Sequence, residues 1–320
     1  MAVTVESSRP ATSRQAVVFC CNEAYLPFAL HAASQIAALS PDRRFDICLC
    51  CSEAWLEVPE GLRPLDLRIC RIDVGGVFDG LRLDANRTHD VYLRIALPIA
   101  LAEDYDRILY LDSDIFVQGG DFAALLAVDL GNHAIGAVRD NIQWRTPDRK
   151  PEQFKRLGIA TAPYFNAGVL LMDVLRYNEL DLLGRCVELG RREAAQMIRH
   201  DQNLYNAVLK GDWAELSPMW NWQYSWAARL FEAMRSPHIV HFIGTLKPWS
   251  DRHGEFSPRF ARSFDAFLAR HFPDRARKPV SSGLLPDHRQ MRRMLIKHFL
   301  SAGKLSRYLA QFPSDMTVRK

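Results

Sequence analysis

The sequence has no long apolar run. Nowhere in its 320 residues do about 18 consecutive apolar residues occur, the length that a helix needs to cross a bilayer. Residues 1–14 are polar and lack the apolar stretch of a secretory signal peptide. We therefore expect a protein of the reducing cytoplasm, and peripheral contact with the inner face of the cell membrane stays open.

Most of the chain has no large excess of positive or of negative charge. The formal net charge is +4, but residues 275–320 hold 11 Lys and Arg against 2 Asp and Glu, which leaves residues 1–274 with 30 against 35. A slightly acidic body argues against a protein that grips nucleic acid over its whole surface. We predict no nucleic-acid partner and place any anionic partner at the C-terminus.

A cysteine pattern typical of a metal cluster is also missing. The chain has seven cysteines, and six of them fall inside apolar runs of strand length. Cys48 and Cys51 form a C-x-x-C pair, but no turn separates them and no second pair completes a site. We expect buried free thiols.

What the sequence does contain is a repeated alternation of strand-like and helix-like segments. Apolar runs predict strands at 16–21, 45–51, 67–72, 107–112, 134–138 and 164–172, and helical periodicity predicts helices at 25–39, 90–101, 122–126 and 175–199. Residues 141–162 are polar and predict a helix-bearing loop over a site. This alternation is typical of an α/β fold with a mainly parallel, Rossmann-like twisted sheet flanked by helices.

Two compositional boundaries divide the chain. We predict a disordered N-terminus (1–14), one α/β domain (15–274) and a helical, basic C-terminal segment (275–320), with the boundary in the Pro- and charge-rich stretch 272–279. Within the domain, residues 213–226 hold four tryptophans and a tyrosine. These aromatic residues fit a packed core and a wall that stacks on a sugar ring equally well.

Asp112 and Asp114 follow directly after the apolar run Ile108–Leu111. An i, i+2 pair in extended chain projects both carboxylates to the same side, and ligands of open α/β sheets gather at the carboxyl ends of strands. Two carboxylates this close repel each other unless a hard cation such as Mg²⁺ or Mn²⁺ lies between them. The pair therefore predicts a cation site at the end of this strand.

Four motifs in order resemble glycosyltransferase family 8. They are ILYLDSDIFV (108–117), FNAGVLLM (165–172), HDQN (200–203) and HFIGTLKPW (241–249), and the resemblance spans about residues 16 to 272. Within that family, the sequence resembles the branch of bacterial lipopolysaccharide galactosyl- and glucosyltransferases. The resemblance implies a GT-A fold for residues 15–274, a UDP-sugar donor, Mn²⁺ or Mg²⁺, and transfer that retains the anomeric configuration.

The resemblance also implies roles for individual residues. Asp112, Asp114 and His241 would bind the metal, and Asp201 and Gln202 would be the catalytic residues at the donor sugar. The implied donor-binding residues are Asn22, Tyr25, Arg94, Asp112, Ser113, Asn166, Ala167, Gly244 and Lys247. Two carboxylates and an imidazole suit Mn²⁺ better than Mg²⁺, which rarely takes nitrogen.

Several of these residues have a physical rationale of their own. Gly244 lets backbone approach a phosphate closely, and Lys247 supplies a point charge for the leaving diphosphate, although a solvated surface lysine is the alternative. At the uridine end the chain departs from the acidic pattern of many family members and has Asn22-Glu23-Ala24-Tyr25. Tyr25 can stack on a base and Asn22 can pair with the uracil imide, so UDP stays the expected donor nucleotide.

Gln202 decides the expected mechanism. A neutral amide is a poor nucleophile, whereas retention through a covalent intermediate normally requires a carboxylate. We expect attack by the acceptor on the face that the diphosphate leaves, with the diphosphate accepting the acceptor's proton and Gln202 stabilising positive charge.

Apolar side chains between His288 and Phe312 fall on one stripe at helical spacing, with Arg and Lys largely off it. The stripe comprises Met291, Met294, Leu295, Phe299, Leu305, Leu309 and Phe312. Ile296 and Leu300 fall off it, and Gly303 is a potential helix breaker. A basic amphipathic segment predicts binding to an anionic membrane surface, and a helix packed on the domain is the alternative.

The sequence also bears on two other functions. A haloacid-dehalogenase-like phosphatase needs its D-x-D on the first strand, followed by threonine, whereas here Ile115-Phe116 follow a later strand. A non-catalytic sugar-nucleotide binding protein is the alternative function. The donor, UDP-glucose or UDP-galactose, stays open, and the C-terminal segment favours a saccharide or glycolipid acceptor.

Overall fold

The computed structural model describes residues 3–53, 55–83, 90–198, 200–251, 254–275 and 287–320. The strands of these residues are β1 Thr4–Ser7, β2 Gln15–Cys20, β3 Asp46–Cys51, β4 Arg68–Asp73, β5 Arg107–Leu111, β6 Ile115–Val117, β7 Ile135–Arg139, β8 Phe165–Asp173, β9 Ala214–Leu216, β10 Trp222–Gln223, β11 Ile239–His241 and β12 Val318–Arg319. Nine of them form the main sheet, in the order β1-β4-β3-β2-β5-β8-β7-β9-β12.

The main sheet is mixed. Strands β4, β3, β2 and β5 pair in parallel, as do β7 and β9, whereas β1, β8 and β12 run antiparallel to their neighbours. The predicted α/β architecture is confirmed, and its parallel part is limited to these two groups because β8 enters between β5 and β7 in the opposite direction.

Helices cover both faces of this sheet. They are α1 Leu26–Leu39, α2 Asp90–Ala100, α3 Phe122–Leu126, α4 Asn141–Trp144, α5 Glu152–Arg156, α6 Val174–Glu179, α7 Leu182–Arg192, α8 Asp201–Leu209, α9 Arg229–Arg235, α10 Pro258–His271 and α11 His288–Leu309. Val17 and Phe19 of β2 join a buried apolar cluster with α1, whereas Ala16 and Val18 join a second cluster with α2. Burial on both faces explains the continuous apolar runs in the sequence.

The helix predicted at 175–199 is wrong as a single element. Asp181, at φ +45°, adopts a left-handed backbone conformation, and its side chain accepts a hydrogen bond from the Gly184 N–H at the start of α7. The chain therefore turns between α6 and α7, because Asp181 caps a new helix.

A small sheet carries the chain toward the carboxyl end of β5. Its order is β10-β11-β6, and β11 pairs antiparallel with β6 so that His241 lies opposite Ile115. The Phe242 N–H donates to the Asp114 carbonyl at 3.1 Å. This pairing holds His241 beside Asp114 although 126 positions separate His241 from Ile115 in the sequence.

The predicted disorder of residues 1–14 is wrong for Thr4–Ser7, which form β1 and pair antiparallel with β4. The chain that follows is anchored to the first residue of β3. Thr12 donates to both carboxylate oxygens of Asp46, and Arg9 forms an ion pair with Asp46 at 2.9 Å. Polar composition conceals this order because the contacts are made by hydrogen bonds and an ion pair.

The predicted helical C-terminal segment is present, and it packs on the domain. Strand β12 pairs with β9 at the edge of the main sheet, and Leu305, Tyr308 and Leu309 of α11 are buried in the core. Gly303 lies inside α11 and does not break it. Part of the predicted boundary, residues 276–279, lies outside the described residues. Among the described helices, none combines the length and apolarity that a bilayer crossing requires.

The aromatic cluster and the cysteines belong mostly to the core. Trp213, Trp220, Trp222 and Tyr224 are buried, so the core interpretation is confirmed for them. Trp226 is half-buried, between the guanidinium groups of Arg229 and Arg293. All seven cysteines are free, and all except the half-buried Cys20 are buried, as the sequence predicts.

Candidate active site

The predicted metal ligands converge at the carboxyl end of β5. The Asp112 N–H donates to the Gly168 carbonyl at 2.8 Å, which continues the β5–β8 pairing and fixes the chain where β5 ends. The His241 Nε2 lies 3.3 Å from the Asp114 Oδ1 and 3.7 Å from the Asp112 Oδ2. One potential ligand atom from each of these three residues lies within 4.8 Å of the other two.

The hydrogen bond between His241 and Asn221 fits a role of His241 as a ligand of a divalent cation. Its Nδ1 lies 3.0 Å from the Asn221 Oδ1, an acceptor that places the ring proton on Nδ1. In the neutral imidazole with its proton on Nδ1, which is the form that binds a metal, the Nε2 lone pair would face the two carboxylates, and a cation there would have three ligand atoms. Such an arrangement favours a cation with mixed oxygen and nitrogen ligands.

Gly168 is required for this convergence. A Cβ on Gly168 would lie 2.2 Å from the His241 Cε1 and 2.9 Å from the Asp112 Oδ2, well inside contact distance. The motif glycine therefore makes room for the imidazole.

Lys247 lies at the site, but in this structure it binds a metal ligand. Its ammonium group donates to the Asp114 Oδ2 and to the Phe242 carbonyl, both at 2.5 Å. Burial raises the pKa of the Asp114 carboxyl, but His241 and Lys247 lower it more, so that pKa lies well below its usual range. The Lys247 side chain is 12% exposed, which contradicts the alternative of a solvated surface lysine.

Arg94 of α2 joins the two acidic positions of the site. Its guanidinium lies 2.9 Å from the Asp112 Oδ1 and 3.1 Å from the Asp201 Oδ2, and it also donates to the Ala167 carbonyl at 2.9 Å. Burial lowers the pKa of Arg94, but Asp112 and Asp201 raise it well above its usual value. Burial raises the pKa of Asp201 despite this pairing.

Gln202 lies on α8 among amide groups. Its Oε1 accepts from the Asn166 Nδ2 and from the Ala167 N–H, each at 3.3 Å, and its Nε2 donates to the Asp140 Oδ2 at 3.1 Å. The structure thus brings Asn166, Ala167, Asp201 and Gln202 together.

Two residues of this network were missed by sequence reasoning, Asp140 and Asn221. Asp140 directly follows β7, as Asp112 follows β5, so the rule that located Asp112 was also available for Asp140. Asn221 lies between Trp220 and Trp222, and no pattern in the sequence separates it from the surrounding core residues.

The predicted uridine residues lie at the start of α1. Asn22 accepts a hydrogen bond from the Tyr25 N–H at 3.2 Å, so its side chain stabilises the turn into this helix. The Tyr25 ring is 45% exposed and meets Phe28, which stacks on Trp249 at 3.8 Å. Of the remaining predicted residues, Ser113 is buried, and Gly244 has φ +92° with open space around it. The backbone conformation of Gly244 therefore favours glycine at this position.

The part of the chain that contains this site is similar to known proteins. The model of "Glycosyl transferase family 8" matches residues 16–253, which include all the site residues above. General stress protein A of Bacillus subtilis is 28% identical over 179 residues, covering 51% of this chain and 60% of that protein. The lipopolysaccharide 1,3-galactosyltransferase of Salmonella typhimurium is 27% identical, covering 51% of this chain and 50% of the other.

The fold is similar to that of solved structures as well. The galactosyltransferase LgtC, crystallised with donor and acceptor sugar analogs, superposes with a TM-score of 0.64 at 23% identity, covering 80% of this chain and 96% of the other. The likeness shows that the fold is of the GT-A type. The chain spans about half the length of the curated relatives it matches. Because the family model covers well over half of the sequence and the site lies inside that match, the chain belongs to glycosyltransferase family 8.

Proposed function

We propose that this chain transfers glucose or galactose from a UDP-sugar to a saccharide or glycolipid acceptor, with Mn²⁺ and with retention of the anomeric configuration. The observation that carries the proposal is the convergence of Asp112, Asp114 and the His241 Nε2 on one point. Relatives named lipopolysaccharide 1,3-galactosyltransferase and lipopolysaccharide glucosyltransferase support a hexose donor and a lipopolysaccharide-like acceptor.

The ligand set favours Mn²⁺, with Mg²⁺ as the second candidate. Mn²⁺ accepts two carboxylates and an imidazole, whereas Mg²⁺ prefers oxygen ligands alone. A bound cation would neutralise the donor diphosphate and so make it a better leaving group. Lys247 would add a second positive charge there once its ammonium group leaves Asp114.

Gln202 supports transfer without a covalent intermediate. Its amide is held by Asn166, Ala167 and Asp140, so its carbonyl dipole is oriented before the donor binds. In the proposed step the acceptor hydroxyl bonds to the anomeric carbon as the bond to the diphosphate breaks, and the hydroxyl proton passes to the departing diphosphate. The carbonyl dipole of Gln202 would stabilise the positive charge that develops on the sugar. A glycosyl adduct trapped on Gln202 or Asp201 would contradict this step.

Release of UDP from a panel of UDP-sugars tests the function. We expect Mn²⁺-dependent release with one hexose donor, abolished by EDTA and by Asp114→Asn, which removes a ligand charge. The Glu152→Gln variant, at an exposed position of α5, is the control for loss of a carboxylate. Binding of UDP-sugar without release under any condition would favour the non-catalytic alternative.

We further propose that the amino-terminal half of α11 meets an anionic membrane surface at the inner face of the membrane. The buried side of α11 is Met294, Ser301, Leu305, Tyr308 and Leu309. The exposed apolar residues are Met291, Leu295, Ile296, Phe299 and Leu300, and Phe299 is 81% exposed. Exposed Arg289, Arg292, Arg293 and Lys297 flank them. The predicted stripe therefore divides: its carboxyl-terminal part packs on the domain, and its amino-terminal part supports membrane binding.

Flotation with vesicles tests this surface. The double variant Phe299→Ser/Leu300→Ser should lose binding to vesicles that contain phosphatidylglycerol, because it removes two exposed anchors. Leu175→Ser is the matched control, since Leu175 is 70% exposed on α6. Equal flotation of the double variant and the wild type would contradict the membrane proposal.

A further inference from the structure

Asn221 connects the two halves of the candidate site. Its side chain is fully buried between β11 and β8, with the Oδ1 3.0 Å from the His241 Nδ1 and the Nδ2 2.9 Å from the Asn166 Oδ1. One amide thus contacts both a proposed metal ligand and a proposed donor-sugar residue.

Asp140, Gln202, Asn166, Asn221 and His241 form a series of hydrogen bonds. The direction of each bond in this series is determined at the Asp140 end. The Asp140 carboxylate is an acceptor, so Gln202 presents its amino group to it and turns its carbonyl to Asn166. Asn166 therefore donates to Gln202, and its own carbonyl accepts from the Gly168 N–H at 3.0 Å.

The orientation of the Asn221 amide, which contacts His241, follows in the same way. Because the Asn166 carbonyl is an acceptor, Asn221 must present its amino group there and its carbonyl to the imidazole. That carbonyl needs a proton on the His241 Nδ1. In the neutral imidazole, the form that binds a metal, the Nε2 then carries the lone pair on the side of Asp112 and Asp114.

We infer that Asn221 is a positioning residue, which holds His241 in the tautomer that binds the cation and couples that ligand to the Gln202 amide through Asn166. The inference rests on the proposed function, since it concerns the same site. A purely structural role would require Asn221 for folding but would leave metal affinity unchanged in any variant that folds.

Two substitutions separate these roles. Asn221→Leu removes the acceptor for His241 and the donor to Asn166. Asn221→Asp keeps an acceptor for the His241 Nδ1–H but sets an oxygen against the Asn166 Oδ1, so that only the coupling to Asn166 and Gln202 is broken. Asn178→Leu is the control, because Asn178 lies on α6 and donates to the Pro98 carbonyl, away from the site.

Mn²⁺ affinity of the full chain without donor, measured from the free Mn²⁺ signal in electron paramagnetic resonance, is the first readout. We expect Asn221→Leu to weaken Mn²⁺ binding about tenfold or more, as is typical when a partner that orients a histidine ligand is lost. Asn221→Asp should keep Mn²⁺ affinity within about threefold and lower the rate of UDP release about tenfold. Thermal unfolding in EDTA should show Asn221→Leu no less folded than Asn178→Leu at the assay temperature.

The outcomes are distinguishable. Wild-type Mn²⁺ affinity in Asn221→Leu, or equal losses of affinity and rate in both Asn221 variants, would overturn the positioning role alone. A wild-type chain that binds no Mn²⁺ would overturn the proposed function, and the inference with it. If Asn221→Leu does not fold, the expected split between affinity and rate in Asn221→Asp decides the question.

Discussion

Gly168 controls how closely His241 can approach Asp112. In Gly168→Ala the added methyl would overlap the His241 ring, so the imidazole must move away from the carboxylates. We expect Mn²⁺ affinity to fall about tenfold or more, with overpacking costing roughly 1–3 kcal/mol of folding free energy. Metal titration and urea unfolding measure the two effects separately.

Gly303→Ala is the matched control for this substitution. Gly303 lies inside α11, and a Cβ there would meet nothing within 4 Å. Alanine should stabilise the helix by up to about 1 kcal/mol and leave Mn²⁺ affinity unchanged. Unaltered Mn²⁺ binding in Gly168→Ala would mean that His241 is not confined by this glycine.

The sequence predicts the residues of the site that belong to motifs, and misses those that act through buried contacts. Asp112, Asp114 and His241 are found because each lies in an ordered motif. Asn221 escapes prediction because its partners, Asn166 and His241, lie 55 and 20 residues away. No local pattern records a hydrogen bond made at that distance.

At the scale of elements, α11 has a half that packs on the domain and a half whose apolar residues are exposed, whereas the sequence alone left packing and exposure as alternatives. Periodicity identifies an apolar stripe but not where along the helix the domain surface ends. Only the packing of Leu305, Tyr308 and Leu309 against the core shows that the carboxyl-terminal half is buried.

Removal of residues 287–320 should destabilise the whole domain. It deletes β12 and the five buried residues of α11, of which Leu305 and Leu309 alone contribute about 1.5–3 kcal/mol each, against a typical total stability of about 5–15 kcal/mol. We expect aggregation or a sharply lower melting temperature, measured by circular dichroism and size-exclusion chromatography. The variant Phe299→Ser/Leu300→Ser should melt like the wild type. A truncated chain that melted within a few degrees of the full chain would show that α11 and β12 are dispensable for the fold.

His31 makes the contact between α1 and α10 sensitive to pH. Its Nε2 lies 2.9 Å from the Ser263 Oγ, and its ring packs against Phe264 at 4.3 Å. Burial lowers the pKa of His31 from 6.5 to about 4. Because the unfolded chain takes up this proton more readily, stability is lost as the pH falls from 6.5 toward 4, by up to about 3 kcal/mol.

The His31→Gln variant should therefore show a flatter pH dependence. Glutamine can still hydrogen-bond Ser263 but does not titrate, so its free energy of unfolding should fall less than that of the wild type between pH 7 and pH 5. Urea unfolding at several pH values measures the difference, with the exposed His288→Gln as control. Parallel curves for His31→Gln and the wild type would contradict this assignment.

At the scale of the whole molecule, the sequence predicts the layers better than the pairing. Apolar runs locate β2, β3, β4, β5, β7 and β8 to within about two residues, because buried strands need continuous apolar sequence. Apolar runs do not indicate the direction of a strand, so they do not predict that β8 runs antiparallel to β5 and β7. The edge strands β1 and β12 are likewise identified only by the structure. The candidate site depends on that topology, since β8 brings Asn166 and Gly168 beside Asp112.

The candidate metal site therefore joins distant parts of the chain, with its candidate ligands at the end of β5 and on β11. A cation bound only by the folded chain stabilises it, by about 2.7 kcal/mol when its concentration is 100 times the dissociation constant. For a chain of 320 residues that corresponds to a rise of roughly 4 °C in melting temperature. We expect Mn²⁺ to produce a rise of this order in the wild type and none in Asp114→Asn, measured by differential scanning calorimetry. An equal rise in both proteins would place the stabilising cation elsewhere, because only the site at Asp114 loses a ligand in the variant.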